Sequence, residues 1–364
     1  MRIAVVGPIT GGSWSIAAAS VRAFRKLGHD ATFINNNHFA TALAQVKTLP
    51  PQQRSEREVA IFLHAAAQTK QRLQDLQPQW ALYLAQAPVL SENDLAPLRD
   101  RGAPSVFWFV EDFRVFTYWR RAAPRFDHVW TIQREVFPQL LADAGVTSVD
   151  YVPLACEPFK RRGFDPHNAG EVTFVGTGYP NRIERLAGLR CSNLRLFGPL
   201  FSRDPRLAAQ VAVDGVLSHN GLASVFASSS INLNYSSTLD PARFSDRKDF
   251  INPRTFEICG AGGFQLAEGL IPLEEVFEPN VEVATFAGDE EARDKIAFYL
   301  RNDSERRSIQ LRGRARAWAH HSYEVRLGSA LKRLLARDGA RIADASVRAA
   351  APMITVGTPG AANA

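Results

Sequence analysis

The chain has 364 residues, of which 46% are hydrophobic and 22% are charged, a composition typical of a globular protein. This length exceeds one ordinary hydrophobic core, so we expect two domains of roughly 150 residues each. No apolar run reaches the ~18 residues of a membrane span, and three scattered cysteines without a CxxC pair argue against a disulfide framework or a metal site. The first residues run directly into a strand without a leader, so a cytoplasmic location is expected.

The net charge of +6 is concentrated near the C-terminus. Residues 301–337 contain ten Lys or Arg and three Asp or Glu, a balance of +7, and the rest of the chain carries −1. One interpretation is a solvated basic face, and the other is a surface for peripheral contact with membrane phosphates or with an acidic acceptor. A nucleic-acid partner is not expected, because no recognition motif accompanies the charge.

The first half of the chain alternates strand-like and helix-like segments. Helical spacing occupies residues 15–28 and 56–76, and apolar strands are predicted at residues 2–7, 30–37, 79–86, 104–113, 128–133 and 148–155. Strands that alternate with helices predict a parallel sheet with helices on both faces. The fold class is therefore α/β.

The pattern begins again after a stretch in which Pro153, Pro158 and Pro166 break regular structure. Strands are predicted within residues 170–182, 194–198, 230–237, 262–268 and 281–288, with helices at 222–229, 252–261 and 290–302. We infer two doubly wound domains, residues 1–153 and 154–320. Residues 345–364 are rich in Ala, Gly and Pro and are predicted to be a disordered tail.

The first glycine turn, GPITGGSW at residues 7–14, follows a strand and opens a helix. Glycines there let backbone N–H groups approach an anion. However, Gly7, Gly11 and Gly12 do not fit GxGxxG, and Asn35 stands where a nicotinamide-binding fold places an acid. A dehydrogenase is therefore disfavoured, and the segment is either only a tight turn or a loop that borders an interdomain cleft.

Two acids, Glu111 and Asp112, directly follow the apolar strand FWFV. Ligands of open α/β sheets bind at the carboxyl ends of the strands. A carboxylate there could act as a general base or bind the hydroxyl groups of an acceptor. The alternative is a helix cap or first-turn acid, because acids favour that position in any protein.

Polar and glycine residues also end two strands of the second half. In FVGTGYPNR, Gly176 and Gly178 could let the chain approach a phosphate, and Arg182 could reach it. In SINLNYSS, Asn234 begins a polar run at the end of an apolar strand. A plain turn or a helix cap is the alternative for both segments.

The stretch NPRTFEICGAGGFQL, residues 252–266, predicts a short helix with Asn252 as its cap and Pro253 in its first turn. Arg254 and Glu257 are three residues apart and share one face of that helix. A guanidinium there can hold a diphosphate bidentately, and a carboxylate one turn along can accept hydrogen bonds from a ribose. The alternative is that the two side chains pair with each other.

These blocks together resemble the CgeB-like, spore-maturation-type group of bacterial glycosyltransferases, which is related to glycosyltransferase group 1. Residues 252–266 resemble the nucleotide-binding signature, and the other matching blocks follow in the same order. They are residues 107–113, 150–158, 172–189, 231–237 and 276–327. The resemblance covers roughly residues 100–335 and depends on order and spacing, not on one motif.

The resemblance implies a GT-B fold, in which two Rossmann-like domains face each other across a cleft. The C-terminal domain would bind a nucleoside diphosphate sugar, with Arg254 near the diphosphate and Glu257 near the ribose. The remaining implied donor-site residues are Gly176, Gly178, Arg182, Asn234, Gly260, Gly262, Gly263 and Glu282. The local sequence around Glu282 departs from the pattern of the group. Residues 321–344 are implied to pack back on the N-terminal domain.

The resemblance implies transfer of a sugar to an acceptor held by the N-terminal domain, on the side of Gly11, Gly12 and Ser13. No metal or other cofactor is implied, because protein cations and helix dipoles offset the diphosphate charge. Group 1 relatives suggest retention of anomeric configuration, with Glu111 or Asp112 as acceptor contacts. With inversion, one of the two acids becomes the candidate base. The alternative functions are a nucleotide-sugar epimerase of the same fold and a non-catalytic nucleotide-binding module.

Overall fold

A computed structural model of the protein describes residues 1–159, 171–237, 251–269 and 271–350. Its first unit is a six-stranded sheet in the order β2-β1-β3-β4-β5-β6, and every pair of neighbouring strands is parallel. The strands are β1 Arg2–Val6, β2 Asp30–Ile34, β3 Trp80–Leu84, β4 Ser105–Phe109, β5 His128–Thr131 and β6 Val149–Tyr151. The helices are α1 Ser13–Lys26, α2 Ala40–Lys47, α3 Pro51–Leu76, α4 Ala96–Arg99, α5 Trp119–Ala122 and α6 Val136–Asp143.

The second unit is another six-stranded parallel sheet, in the order β12-β11-β10-β7-β8-β9. Its strands are β7 Val172–Val175, β8 Leu194–Phe197, β9 Val211–Val213, β10 Ile231–Asn234, β11 Gln265–Glu268 and β12 Ala284–Phe286. The helices are α7 Pro180–Gly188, α8 His219–Ser228, α9 Pro253–Gly260, α10 Ile271–Glu274, α11 Asp289–Arg301, α12 Asp303–His320 and α13 Tyr323–Ala350.

The prediction of two doubly wound parallel sheets is confirmed, and the reason is visible in the central strands. All five residues of β3 and of β4 are buried. A parallel sheet has helices on both faces, so its inner strands are continuous apolar runs without alternation. The sequence did not predict β9, a three-residue strand at the edge of the sheet whose residues are each only partly buried.

The segment that joins the two sheets is held by the junction between α12 and α13. Cys156 donates its backbone N–H to the carbonyl of His321 at 2.9 Å and accepts one from Tyr323 at 3.0 Å. One hydrophobic cluster continues from Trp108 of β4 through Cys156 and Tyr323 to Phe256 of α9. The two sheets therefore share a continuous apolar core at the joining segment.

Helix α13 leaves that junction and lies against α1 of the first unit. Lys26 pairs with Glu324 there, and Leu27 approaches the position of Gly328. The helix continues to Ala350, so residues 345–350, which were predicted to be disordered, are helical, and the Ala and Arg residues of that stretch are good helix formers. The remainder of the predicted tail, 351–364, lies outside the described residues. Among the described residues, no helix has the length and hydropathy required to cross a membrane.

Candidate functional site

Helix α9 begins at the carboxyl edge of the second sheet, as the sequence predicts. Asn252 caps it by accepting a hydrogen bond from the Thr255 backbone N–H at 3.3 Å, and Pro253 occupies the first turn. Asn234, at the end of β10, donates to Thr255 Oγ1 at 3.0 Å and accepts from the Asn252 amide at 2.8 Å. Asn234 therefore fixes the start of α9 to the sheet. Both ends of the Asn234 amide are thus engaged within the protein, and its predicted contact with the donor stays a prediction.

Arg254 and Glu257 lie on one face of α9 and form an ion pair. The Arg254 Nε also donates to the carbonyl of Val175, at the end of β7, at 3.2 Å. The two side chains are 28% and 24% exposed, so solvent and ligands can reach both of them. The internal pair is thus present, and it stands at the strand edge where the sequence predicts a donor site.

Arg182 is buried, and its guanidinium is bonded to backbone carbonyl groups. Its guanidinium donates to the carbonyl of Tyr235 at 2.8 and 3.1 Å and to that of Thr177 at 3.2 Å. Burial, and then the nearby positive charge of Arg254, lower its pKa to about 10. Its nitrogen atoms are thus bonded to the backbone, and the direct phosphate contact stays a prediction. The charge of Arg182 still makes this sheet edge more positive.

The glycines near α9 are required by protein packing. A Cβ at Gly260 would lie 2.4 Å from the Cβ of Cys156, and one at Gly263 would lie 2.5 Å from the carbonyl oxygen of Phe226. Gly262 has a φ of +79°, which side-chain-bearing residues rarely adopt. These contacts give the glycines a role other than the predicted approach of the backbone to the donor. They let the joining segment and α8 pack closely against α9.

The turn glycines after β7 also have close neighbours. A Cβ at Gly176 would lie 3.2 Å from Nη1 of Arg182, and one at Gly178 would lie 3.1 Å from the ring of Phe201. Both glycines therefore let the turn fold over buried side chains. Gly176 follows Val175, whose carbonyl accepts from Arg254, so this turn borders Arg254.

Glu282 belongs to the turn that precedes β12. Its carboxylate accepts from the backbone N–H of Glu278 at 2.9 Å and lies 3.8 Å from Nε of Arg316 on α12. These contacts stabilise the turn against α12. The contact of Glu282 with the donor stays a prediction.

The carboxyl edge of the first sheet carries a polar cluster around Glu111. The carboxylate accepts a hydrogen bond from the hydroxyl of Tyr118 at 2.6 Å and another from the side-chain amide of Gln86. Burial raises the pKa of Glu111, and these two hydrogen bonds oppose that rise. A Cβ at Gly11 would lie 3.2 Å from Oε1 of Gln86, so the first glycine turn packs against the side chain that donates to Glu111.

The other predicted residues of this edge have local structural roles. Asp112 accepts from the backbone N–H of Arg114 at 2.9 Å and so stabilises a turn, whereas the next helix, α5, begins only at Trp119. Ser13 is buried and donates to the carbonyl of Ala85 at 2.9 Å. Gly12 occupies the cap position of α1. Of the two adjacent acids, Glu111 is therefore the better candidate for contact with a ligand.

An ion-pair bridge that the sequence did not predict connects the two units beside Glu257. Arg22 of α1 donates twice to Glu157 of the joining segment, both at 2.6 Å, and His219 of α8 lies 3.3 Å from the same carboxylate. A small cavity between α1 and α8 is lined by Glu157, His219 and Glu257, among others. Glu257 therefore faces the cleft between the units. The partners of Glu157 are far away in sequence, so no local pattern could identify them.

Among the residues that the structure describes, no group of three or more His, Cys, Asp or Glu side chains is arranged to hold an ion. The described cations nearest to Glu257 and the end of β7 belong to Arg254 and Arg182. The charge available for an anionic ligand at this edge is thus supplied by guanidinium groups.

A protein-family model matches the second unit of the chain. A family model described as "Glycosyl transferase-like" matches residues 169–332, the part of the chain that contains β7 to β12 and α9. This match supports a glycosyltransferase-type C-terminal unit. The narrower CgeB-like group stays a prediction. No curated protein sequence matches this chain.

Solved structures similar to this chain span nearly its whole length. A glycosyltransferase from Rickettsia africae is 12% identical, with 91% of this chain and 96% of that chain covered and a TM-score of 0.57. Sucrose-phosphate synthase from Thermosynechococcus elongatus is 12% identical, with 93% and 100% covered and a TM-score of 0.59. HepE of Anabaena, in complex with UDP and glucose, is 13% identical, with 92% and 99% covered and a TM-score of 0.59.

At these identities the likeness establishes the fold. Two parallel sheets of six strands, flanked by helices and similar over their whole length to glycosyltransferase structures, define the GT-B fold. The predicted fold is therefore confirmed. What those proteins bind or catalyse is a property of each of them, and for this chain it becomes a proposal that the site must support.

Proposed function

We propose that the protein is a glycosyltransferase that transfers a sugar from a nucleoside diphosphate sugar to an acceptor. The observation that carries this proposal is the placement of Arg254 and Glu257. They share one face of a capped helix at the carboxyl edge of the second sheet, and Glu257 lines the cleft. The GT-B fold and the family match over residues 169–332 support the same class of reaction.

Donor binding would exchange partners at the Arg254–Glu257 pair. The diphosphate would replace Glu257 as the anion beside Arg254, since a guanidinium can hold two phosphate oxygens at once. The released carboxylate of Glu257 could then accept hydrogen bonds from the two ribose hydroxyls. Each charge-assisted hydrogen bond contributes roughly 1.5–3 kcal/mol, enough to offset the loss of one partly exposed ion pair.

Arg254 would also assist the chemical step. Negative charge grows on the diphosphate as the bond to the sugar breaks, and a fixed cation stabilises that charge in the transition state. The buried guanidinium of Arg182 adds a second positive charge below the same edge. We propose that these two groups take the part that a divalent metal has in other transferases.

Glu111 is the proposed acceptor contact on the opposite domain. Its carboxylate already accepts from Tyr118 and Gln86, and it retains lone pairs that could accept from an acceptor hydroxyl. Asp112 is the weaker candidate, because it stabilises the turn at Arg114. With retention of configuration, as the group 1 resemblance suggests, Glu111 would orient the acceptor and not abstract its proton.

The test is a thermal-unfolding panel with UDP, GDP, dTDP and CMP, each alone and as its sugar derivative. UDP and UDP-glucose come first, because HepE of Anabaena holds them in its structures. We expect one nucleotide to raise the unfolding temperature, since binding only to the folded state stabilises it by mass action. No stabilisation by any of them at millimolar concentration would contradict the proposed donor site.

The preferred donor is then incubated with and without an acceptor extract, and the products are separated. Transfer predicts release of nucleoside diphosphate that increases when acceptor is added. Conversion of the donor alone into an isomer would contradict transfer and indicate epimerisation. Binding without any turnover, with acceptor present, would indicate a nucleotide-binding module.

A further inference from the structure

The segment that follows Glu111 combines exposed apolar side chains with arginines. Residues 113–125, FRVFTYWRRAAPR, contain four arginines and no acidic residue. Val115 is 40% exposed and Phe116 is 36% exposed. Apolar side chains that stand singly on a surface need no explanation, but a cluster ringed by one sign of charge indicates an interaction surface.

The fold holds these apolar side chains at the surface. The backbone N–H groups of Val115 and Phe116 both donate to the carbonyl of Asp112, at 3.1 and 2.9 Å, and close a tight turn. Residues on either side are anchored, because Phe113 stacks on Phe137 and Trp119 is fully buried. The exposure of Val115 and Phe116 is therefore a fixed feature of the turn.

Arg120 and Arg121 of the same segment are also exposed, and the Arg120 guanidinium lies 4.7 Å from the centre of the Trp119 ring. Trp119 and Ala123 are the buried positions of α5 and the turn after it. Arg125, the fourth arginine of the segment, is half-buried and donates to the carbonyl of Val89 at 3.3 Å.

We propose that this surface docks on an anionic lipid bilayer. The interfacial patch is defined as Val115, Phe116, Arg120 and Arg121. Its apolar side chains would enter the boundary between headgroups and acyl chains, while the guanidinium groups pair with lipid phosphates. Anionic leaflets attract such cations, by roughly 1 kcal/mol for each Arg near the surface.

The charged C-terminal helices, for which the sequence left membrane contact open, are less suited to this task. Arg307 pairs with Asp303, Arg312 donates to the carbonyl of Val281 at 2.7 Å, and Arg337 holds Asp150 at 2.8 and 2.9 Å. Leu311 is exposed on α12 between two of these engaged arginines. Much of the basic charge near the C-terminus therefore serves contacts within the fold.

Docking through the interfacial patch would bring the bilayer next to the Glu111 cluster. Tyr118, two residues after Phe116, donates to the Glu111 carboxylate at 2.6 Å. The patch and Glu111 are thus joined through one short, anchored segment. Binding of the patch to a lipid surface does not depend on sugar transfer, so either property can fail without the other.

The test measures co-sedimentation of the full chain with vesicles of phosphatidylcholine alone and of equal parts phosphatidylcholine and phosphatidylglycerol. We expect binding to the anionic vesicles only, and less binding as salt is raised. Two double variants probe the patch: Val115→Ser with Phe116→Ser, and Arg120→Gln with Arg121→Gln. Each should weaken binding about tenfold or more, because each removes either the inserted apolar area or two surface cations.

Matched controls come from α3 of the same domain. Val59 and Leu63 are exposed there to 53% and 55%, and Arg57 and Arg72 are exposed on the same helix. The double variants Val59→Ser with Leu63→Ser, and Arg57→Gln with Arg72→Gln, should leave vesicle binding unchanged. Thermal unfolding of every variant confirms that a loss of binding is not a loss of folding.

Three outcomes would overturn the proposal. One is equal binding to neutral and anionic vesicles, and another is wild-type binding by both patch variants. The third is absence of vesicle binding together with binding to heparin, a soluble polyanion. That heparin binding would be lost in the Arg120→Gln with Arg121→Gln variant and kept in the Val115→Ser with Phe116→Ser variant. That third result would assign the patch to a polyanionic macromolecule.

Discussion

The two sheet edges that face the cleft differ in charge and in how they are built. At the second edge, Arg254 and the buried Arg182 make the surroundings of Glu257 cationic. At the first edge, Glu111 lies among neutral donors, and burial raises its pKa. A cationic edge suits a diphosphate, and a buried carboxylate with neutral neighbours suits hydroxyl groups. The contrast supports a division between donor and acceptor.

The local construction of the edges differs as well. Helix α9 starts by ordinary helix capping, with Asn252 and Pro253 at its first positions. The Glu111 cluster depends on turns with unusual backbone geometry, since Gly11 has a φ of +106° and Gln86 has one of +64°. Capping leaves a signature in adjacent residues, whereas a convergence of three loops does not.

The largest expected effect tests the cationic edge. Arg254→Ala removes the guanidinium that would hold two phosphate oxygens, so nucleotide affinity should fall roughly 100-fold or more. Isothermal titration with the nucleotide that best stabilises the protein measures this loss. The variant should stay folded, because the ion pair that it removes is partly exposed and contributes little stability.

The control is Arg185→Ala, which breaks an ion pair with Asp289 of the same domain, 2.9 Å long. Its nucleotide affinity should stay that of the wild type. Glu257→Gln should weaken nucleotide binding less than Arg254→Ala, and should discriminate less between ribose and deoxyribose. Wild-type affinity in both Arg254→Ala and Glu257→Gln would show that the pair is structural only.

Whether the sequence could predict a feature depends on how far apart in the chain the interacting residues lie. The alternation of strands and helices, and the cap at Asn252, are local patterns, and the structure confirms both. The hydrogen bonds of Arg182 could not be predicted, because its acceptors are carbonyl groups, and a backbone acceptor 53 residues away leaves no trace in the local sequence. The bridge between Arg22 and Glu157, 135 residues apart, was missed for the same reason.

A second prediction tests whether the glycines of α9 serve packing. Gly260→Ala places a methyl group 2.4 Å from the Cβ of Cys156, and relief requires movement of the joining segment. We expect a loss of about 1–3 kcal/mol in the free energy of unfolding, as for other overpacked sites. Urea denaturation in the absence of nucleotide measures this loss, so a change in donor binding does not contribute to the result.

Gly188→Ala is the matched control, because Gly188 ends helix α7 and a methyl group added there would meet no atom within 4 Å. That change should be neutral or stabilise the protein by up to about 1 kcal/mol, since alanine restricts the unfolded chain. If Gly260→Ala were as stable as wild type but bound nucleotide poorly, the glycine would serve the donor, as the sequence resemblance implied.

The smallest expected effect concerns the neutral edge and its dependence on pH. The Tyr118 hydroxyl donates to the Glu111 carboxylate and so stabilises the charged form, which opposes the rise in pKa caused by burial. Tyr118→Phe should therefore raise the pKa of Glu111 further. If acceptor binding needs the carboxylate, the acid limb of the pH–rate profile moves to higher pH, with a loss at neutral pH of less than about tenfold.

The control for Tyr118→Phe is Tyr83→Phe, in strand β3 of the same sheet. The Tyr83 hydroxyl is buried without a hydrogen-bond partner in the described parts of the chain, so its removal should leave the profile unchanged. Glu111→Gln should abolish the acid limb and lower the rate at all pH values, because a neutral amide does not titrate. An acid limb that persists in Glu111→Gln would assign the titrating group elsewhere and separate Glu111 from the acceptor.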